Sequence, residues 1–276
     1  MGSILLHLFP AALYAGLGLY YWRGRVAVQS GDGQPFGMVR IERLLLVLAL
    51  CAHGLALHTA IFPGGAIRFS FSVALSLTVW LAICFYWVET LYNRLDGLRA
   101  IVLPAGALAS LLPVIFPEGQ TLSDASISSP VFRVHFVIAM LSYSLFMLAA
   151  LHAMLMAMTA RQLHHARFSR ALANLPPLLT METLLFRLIG IGFVLLTLTL
   201  MTGAAVTEDQ HGVVFRLDHK TVFTTISWFL FGVLLAGRHF CGWRGRTALR
   251  WTLAGFVALM LAYVGSRFVI EVLLHR

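Results

Sequence analysis

Apolar residues occur in long uninterrupted runs along the chain, and charged residues lie mostly in the short segments between the runs. A helix that crosses a bilayer needs about 20 predominantly apolar residues. Eight intervals meet this need and predict an all-α, polytopic membrane protein with eight transmembrane helices in a single transmembrane domain, residues 1–276. The predicted spans are about 3–22, 44–63, 69–91, 98–116, 132–158, 185–206, 221–238 and 250–273.

The distribution of basic residues predicts the orientation. Thirteen arginines fall in the segments on one side of the predicted spans, and six basic residues fall on the other side. Because the side richer in Arg and Lys stays in the cytoplasm, we expect both termini to face outward, into the periplasm of a bacterial inner membrane.

Composition supports this fold class. Of the 276 residues, 59% are hydrophobic and only 11% are charged, whereas about 25% are charged in an average soluble domain. The net charge of +9 comes from short arginine clusters at span ends, which is typical of membrane topology. We therefore expect the lipid bilayer as a partner and no nucleic acid.

Histidine is the candidate chemistry inside the membrane. His53 and His58 fall in the second span, His135 in the fifth, and His219 at the outer mouth of the seventh. With this topology, His58, His135 and His219 share one level in the outer leaflet, and His53 lies about 7.5 Å deeper at 1.5 Å per residue. Neutral imidazole is a common metal ligand and an axial ligand of haem iron.

The face of the fifth span below His135 carries small and aromatic residues at helical spacing: Ala139, Ser142, Tyr143 and Phe146. Such a face would admit and stack on a planar macrocycle. The same residues also serve ordinary helix packing in membranes, so the pattern alone leaves both readings open.

The segment 203–238 and its neighbours resemble the cytochrome c assembly family of haem-handling membrane proteins, the relatives of CcsA and CcmC. That family carries an outward segment ending W-D-P-K-x-x-W with a further Trp. Asp218, Lys220 and Trp228 match it, and His135 with the later Ser142–Tyr143 pair resembles the family's histidine-led span. The runs LPPLLTMETLLFRLIG and GWRGRTALRWTLAG resemble more specifically its eight-span inner-membrane branch, the YpjD proteins.

The chain also departs from the family pattern. Residues 207–221 contain no Trp, and His219 stands at the position of the motif's proline. Ala236 occupies the position of an expected membrane histidine, and Gly265–Ser266–Arg267 occupies that of an outward one.

The resemblance implies a haem-binding, haem-handling factor associated with cytochrome c assembly, with haem b as a transiently held cofactor and other cytochrome-biogenesis or membrane proteins as partners. Because the tryptophan-rich signature is degenerate here, we expect no ligase activity and no enzymatic bond-making. His135 stands where an outer axial ligand is expected, His53 or His58 could stand for the early membrane histidine, and we consider His219 a substitute iron ligand.

The charged residues beside the motif allow two readings. Arg216 and Lys220 could pair with haem propionates. Asp218 could orient His219 or cap the seventh span, and with Lys220 it could equally serve only as a cap and interface anchor.

Two other function classes remain open. One is a haem-free structural or regulatory membrane partner that kept the family scaffold, which the missing tryptophans favour. The other is a permease, against which the lack of embedded carboxylates and of inverted repeats counts.

Overall fold

The computed structural model describes residues 2–30, 40–63, 67–92, 96–117, 120–121, 129–164, 178–212 and 218–262. Within these ranges the elements are helices, apart from one two-stranded ribbon and a 3-10 turn at Asp96–Leu98. The helices are α1 (Gly2–Ser30), α2 (Arg40–Ile61), α3 (Phe71–Tyr92), α4 (Arg99–Ile115), α5 (Pro130–His164), α6 (Leu178–His211), α7 (His219–Cys241) and α8 (Gly245–Met260).

Six of these helices are long and apolar enough to cross a membrane: α1, over Ile4–Arg23, and α2, α3, α5, α6 and α7. The apolar α4 is shorter, at 17 residues, and α8 is described for 16 residues. The rest of the eighth predicted span, 263–273, lies outside the described residues. The all-α, multi-pass architecture is therefore confirmed, while the full set of eight spans and the outward termini remain predictions.

Local chemistry explains where α7 begins and ends. Asp218 has extended backbone geometry, and its carboxylate accepts a 2.8 Å hydrogen bond from the Thr221 N–H, which is the geometry of an N-cap. At the other end Gly242 has φ 65°, in the left-handed region that favours glycine. Asp218 and Gly242 therefore set the two ends of α7.

The helices pack as two groups of four. In the first group α1 packs against α2 and α4, and α3 packs against α2 and α4. In the second group α5 packs against α6 and α8, and α7 packs against α6 and α8. The main contact between the groups is that of α3 with α5, and these two helices are also the most buried of the candidate spans, at 56% and 67% of their apolar windows.

A short ribbon connects the first group to the start of α5. Strands β1 (Arg68–Phe69) and β2 (Gln120–Thr121) pair antiparallel. Phe69 packs edge-on against Phe136 of α5, with 4.9 Å between ring centroids. This contact lies at the end of the bundle where His135 is found.

Candidate functional site

His135 lies in the second turn of α5 and points into the contact with α6. Its side chain is largely buried, and its Nδ1 lies 3.0 Å from the Thr202 Oγ1. Thr202 is near the end of α6, so the hydrogen bond joins two helices at the same end of the bundle. The contact holds the imidazole ring in one orientation.

The Thr202 hydroxyl lies between two partners. It lies 2.7 Å from the Leu198 carbonyl, to which it can donate, and 3.0 Å from the His135 Nδ1. In the tautomer that carries the proton on Nδ1, His135 donates to the Thr202 oxygen. In the neutral ring this leaves the lone pair on Nε2, the form in which a second partner prepares a histidine for an iron or zinc ion.

Gly203 provides the close approach between α6 and His135. A Cβ at this position would lie 3.2 Å from the His135 Cε1, which is tighter than ordinary van der Waals contact. The imidazole therefore packs directly on the backbone of α6. The small residues of this helix end, Gly203 to Ala205, were not singled out from the sequence, although their grouping was a readable signal.

The predicted aromatic residues line the same helices deeper in the bundle. Tyr143 of α5 is buried and hydrogen-bonds the Thr224 side chain of α7. Trp228, one turn further along α7, donates from Nε1 to the Thr197 Oγ1 at 2.9 Å and stacks on Phe193 with 5.5 Å between centroids. Separate hydrogen bonds thus link α5 to α6 at His135, α5 to α7 at Tyr143, and α7 to α6 at Trp228.

The charged residues of the motif lie at the start of α7. Lys220 is exposed and near enough to His135 to act on it electrostatically. Asp218 caps the helix. Of the two roles considered for it, orienting His219 or capping the helix, the structure shows the capping role. His219 is exposed, and among the described residues no hydrogen bond or ring contact joins it to His135. Arg216 lies outside the described residues.

His53 and His58 occupy the other helix group. His53 is fully buried, with its Nε2 3.0 Å from the Ser76 Oγ of α3 and its ring 5.8 Å from that of Tyr14 of α1. His58 is exposed and packs on Phe62, with 5.0 Å between centroids. The similar depth expected from the sequence therefore does not bring the histidines of the second, fifth and seventh spans together.

A further histidine was missed by the sequence reasoning. His7 of α1 is buried, and its Nδ1 donates to the Ser110 carbonyl of α4 at 2.9 Å. It lies near the N-terminal end of the first span, and its position in an apolar run was the available signal. In the described part of the chain, no group of three or more His, Cys, Asp or Glu residues is arranged to hold a metal ion.

The donor set suits a single axial haem ligand with a cation near it. The contact with Thr202 holds the His135 ring in one orientation, and Lys220 places a cation at the start of α7. That cation can pair with a carboxylate such as a propionate. The geometry identifies no second iron ligand among His53, His58 and His219, so the donor set fits one-sided ligation of a transiently held cargo.

Known proteins resemble this chain over most of its length. The sequence profile of the Cytochrome C assembly protein family matches residues 41–274. The inner membrane protein YpjD of Escherichia coli (strain K12) is 32% identical over 236 residues, which is 84% of this chain and 88% of that protein. The cytochrome c biogenesis protein CcsA of Gloeobacter violaceus is 34% identical over 92 residues, 33% of this chain and 27% of that protein.

These matches agree with the helices and with the apolar sequence in describing a multi-pass protein of the bacterial inner membrane. The resemblance to the YpjD proteins is confirmed by the coverage of both chains. With the family profile extending from the start of α2 beyond the described part of α8, the chain belongs to the cytochrome c assembly protein family.

Proposed function

We propose that this protein binds haem reversibly on the outward side of its second helix group and presents it during cytochrome c assembly. Membership of the family and the similarity to proteins named for cytochrome c biogenesis support the process. The observation that carries the haem proposal is the His135–Thr202 hydrogen bond, because in the Nδ1–H form of His135 it leaves Nε2 as the ligand for iron.

The proposed role needs no catalytic residue. Haem would be the cargo, His135 would hold its iron, and Lys220 would pair with a propionate. Trp228 on α7, which is partly exposed, would offer aromatic surface, whereas Tyr143 is buried between α5 and α7. A role of this kind needs binding and release only, with no carbon bond made or broken by the protein.

The test is the haem content of detergent-purified protein. We expect the wild type, after loading with haemin, to show a shifted Soret band and a b-type pyridine haemochrome. His135→Ala is expected to lose most of this signal. His58→Ala is the matched control, because His58 is a membrane histidine that is exposed and belongs to the other helix group.

Equal haem binding by wild type and His135→Ala would show that the iron ligand lies elsewhere. A wild type that stays colourless after haemin is added would contradict the proposal altogether. That second result would support a haem-free structural or regulatory partner, which the absence of Trp from 207–221 favours. Co-purification of a stoichiometric membrane protein without pigment would identify that role.

A further inference from the structure

An arginine-rich surface surrounds the turn between α7 and α8. Arg244, Arg246 and Arg250 are exposed, and we call these three residues the α8 arginine face. Arg238, in the last turn of α7, is half-buried beside them. The face lies at the opposite end of α7 from the residues that approach His135, so it is separate from the proposed haem site.

The negative charge that contacts these arginines belongs to Glu182 of α6. Its side chain is 10% exposed and accepts a hydrogen bond from the Arg238 Nη1, and its Oε1 also lies 3.6 Å from the Arg244 Nε. Two arginines therefore share one carboxylate. Neither Arg246 nor Arg250 pairs with a carboxylate of the described residues, so the surface carries an excess of positive charge.

The position of Arg246 and Arg250 on α8 is electrostatically unfavourable without an anion. They are four residues apart, which on a helix places their Cβ atoms about 5–6 Å from each other, where like charges are destabilising. Arg246 also lies in the first turn of α8, which has no acidic residue. Cations at this end of a helix are opposed by the helix dipole. A phosphate between the two guanidiniums would relieve both costs.

Aromatic residues place the α8 arginine face at the surface of the bilayer. Helix α7 is long and apolar enough to cross a membrane, and it ends at Cys241. Phe240, in its last turn, is 81% exposed. The half-buried Trp243 and Trp251 pack together with 5.3 Å between ring centroids, and tryptophan is enriched where a protein meets the lipid headgroups. The anions available at this depth are those of phospholipids.

We propose that the α8 arginine face binds an anionic phospholipid, with the headgroup phosphate between Arg246 and Arg250. The two guanidiniums donate charge-assisted hydrogen bonds to the phosphate oxygens. A zwitterionic phospholipid also carries an ammonium, which these arginines repel, so the face favours a headgroup whose net charge is negative. This inference is independent of haem binding.

The measurement is native mass spectrometry of the full-length protein, titrated separately with phosphatidylglycerol and phosphatidylethanolamine of the same acyl chains. We expect about tenfold tighter binding of phosphatidylglycerol, since each arginine near a membrane surface attracts anionic lipid. Glycerol 3-phosphate, which has a phosphate but no acyl chains, is expected to leave the bound phosphatidylglycerol in place.

Two double variants assign the contact. Arg246→Gln/Arg250→Gln is expected to abolish most of the preference for phosphatidylglycerol. Arg40→Gln/Arg43→Gln is the matched control and should keep the preference. It removes the same charge from two exposed arginines at the start of another helix, whose first turn contains the acidic Glu42. Because all four arginines are exposed, both double variants leave the buried core unchanged.

Equal binding of the two lipids by the wild type would overturn the proposal. A preference that changes to the same extent in the two double variants would also overturn it, because the preference would then reflect the overall charge of the protein. Displacement of phosphatidylglycerol by glycerol 3-phosphate at a similar concentration would identify a site for soluble phosphates and overturn the assignment to a membrane lipid.

Discussion

Glu89 of α3 and His152 of α5 form a buried contact across the junction of the two helix groups, with 3.0 Å between the Glu89 Oε2 and the His152 Nε2. The His152 side chain is fully buried and that of Glu89 is 16% exposed. Ionisable groups inside a membrane are costly unless they satisfy one another. The pair therefore joins α3 to α5 by a polar contact that lipid cannot replace.

His152→Ala is expected to destabilise the fold by about 1–3 kcal/mol, since it leaves the partly buried Glu89 carboxylate without its hydrogen-bond partner. The measurement is thermal unfolding of the purified protein in detergent. The double variant Glu89→Gln/His152→Ala should recover part of the loss, because it removes the stranded charge. An unfolding temperature equal to wild type for His152→Ala would show that the pair contributes nothing to the junction.

Gly203→Ala is expected to lower haem retention several-fold, because the new Cβ lies 3.2 Å from the His135 Cε1 and forces the imidazole to move. Gly190→Ala in the same helix is the matched control, since nothing lies within 4 Å of its Cβ. Both variants gain helix propensity of about 1 kcal/mol. Haem per protein after gel filtration distinguishes them, and equal values would contradict the role of this close approach.

Thr202→Val keeps the shape of the side chain but removes the hydrogen bond between the Thr202 Oγ1 and the His135 Nδ1. Losing such an outer partner of a ligating histidine typically costs about 10–100-fold in metal affinity. We expect a loss of that order in the haemin dissociation constant, measured by absorption titration, and near wild-type affinity for Thr202→Ser. Thr183→Val, at the opposite end of α6, should bind as wild type.

Gly237→Ala is expected to destabilise the protein by about 1–3 kcal/mol, the usual cost of overpacking. The indole of Trp243 lies directly on Gly237, and a Cβ there would overlap it. Gly232→Ala in the same helix places its Cβ 3.5 Å from Phe193, an ordinary contact, and should be neutral or slightly stabilising. Thermal unfolding of the two variants side by side tests this, and equal stability would show that the turn after α7 adjusts freely.

Labelling of cysteines at the two ends of α7 tests the predicted orientation. Cys241 is exposed at the arginine-rich end, and His219 is exposed at the other end. The test uses two variants, both without Cys51 and Cys84. One keeps Cys241, and the other lacks Cys241 and carries His219→Cys. A membrane-impermeant maleimide added to spheroplasts should label the second variant and leave the first unlabelled. The reverse pattern would place both ends of α7 opposite to the prediction.

The span predictions and the helix ends differ for a physical reason. The predicted seventh span, 221–238, nearly coincides with α7, because a cap at Asp218 and a glycine at Gly242 end the helix close to the apolar boundaries. By contrast α1 continues to Ser30, past Arg23. Hydropathy marks the part of a helix that suits the bilayer, whereas backbone hydrogen bonding continues into the polar interface.

The candidate site was predictable only in part. The sequence identified His135, Tyr143, Lys220 and Trp228, which the structure brings to α5 and α7 around α6. It also placed His58 at the depth of His135, with His53 deeper, and these two lie on α2 beside Phe62 and Ser76. Membrane helices are apolar on nearly every face, so periodicity does not reveal which face meets which neighbour.

The sequence by itself determined the helical, membrane-spanning class and the family, because these depend on the order of apolar and charged residues along the chain. Only the tertiary structure decided that Thr202 and Gly203 contact His135, that Glu89 meets His152, and that Glu42 pairs with Arg99. Such contacts depend on which helices are adjacent and how each is rotated. In a bilayer those choices follow from side-chain packing between helices, which local sequence does not specify.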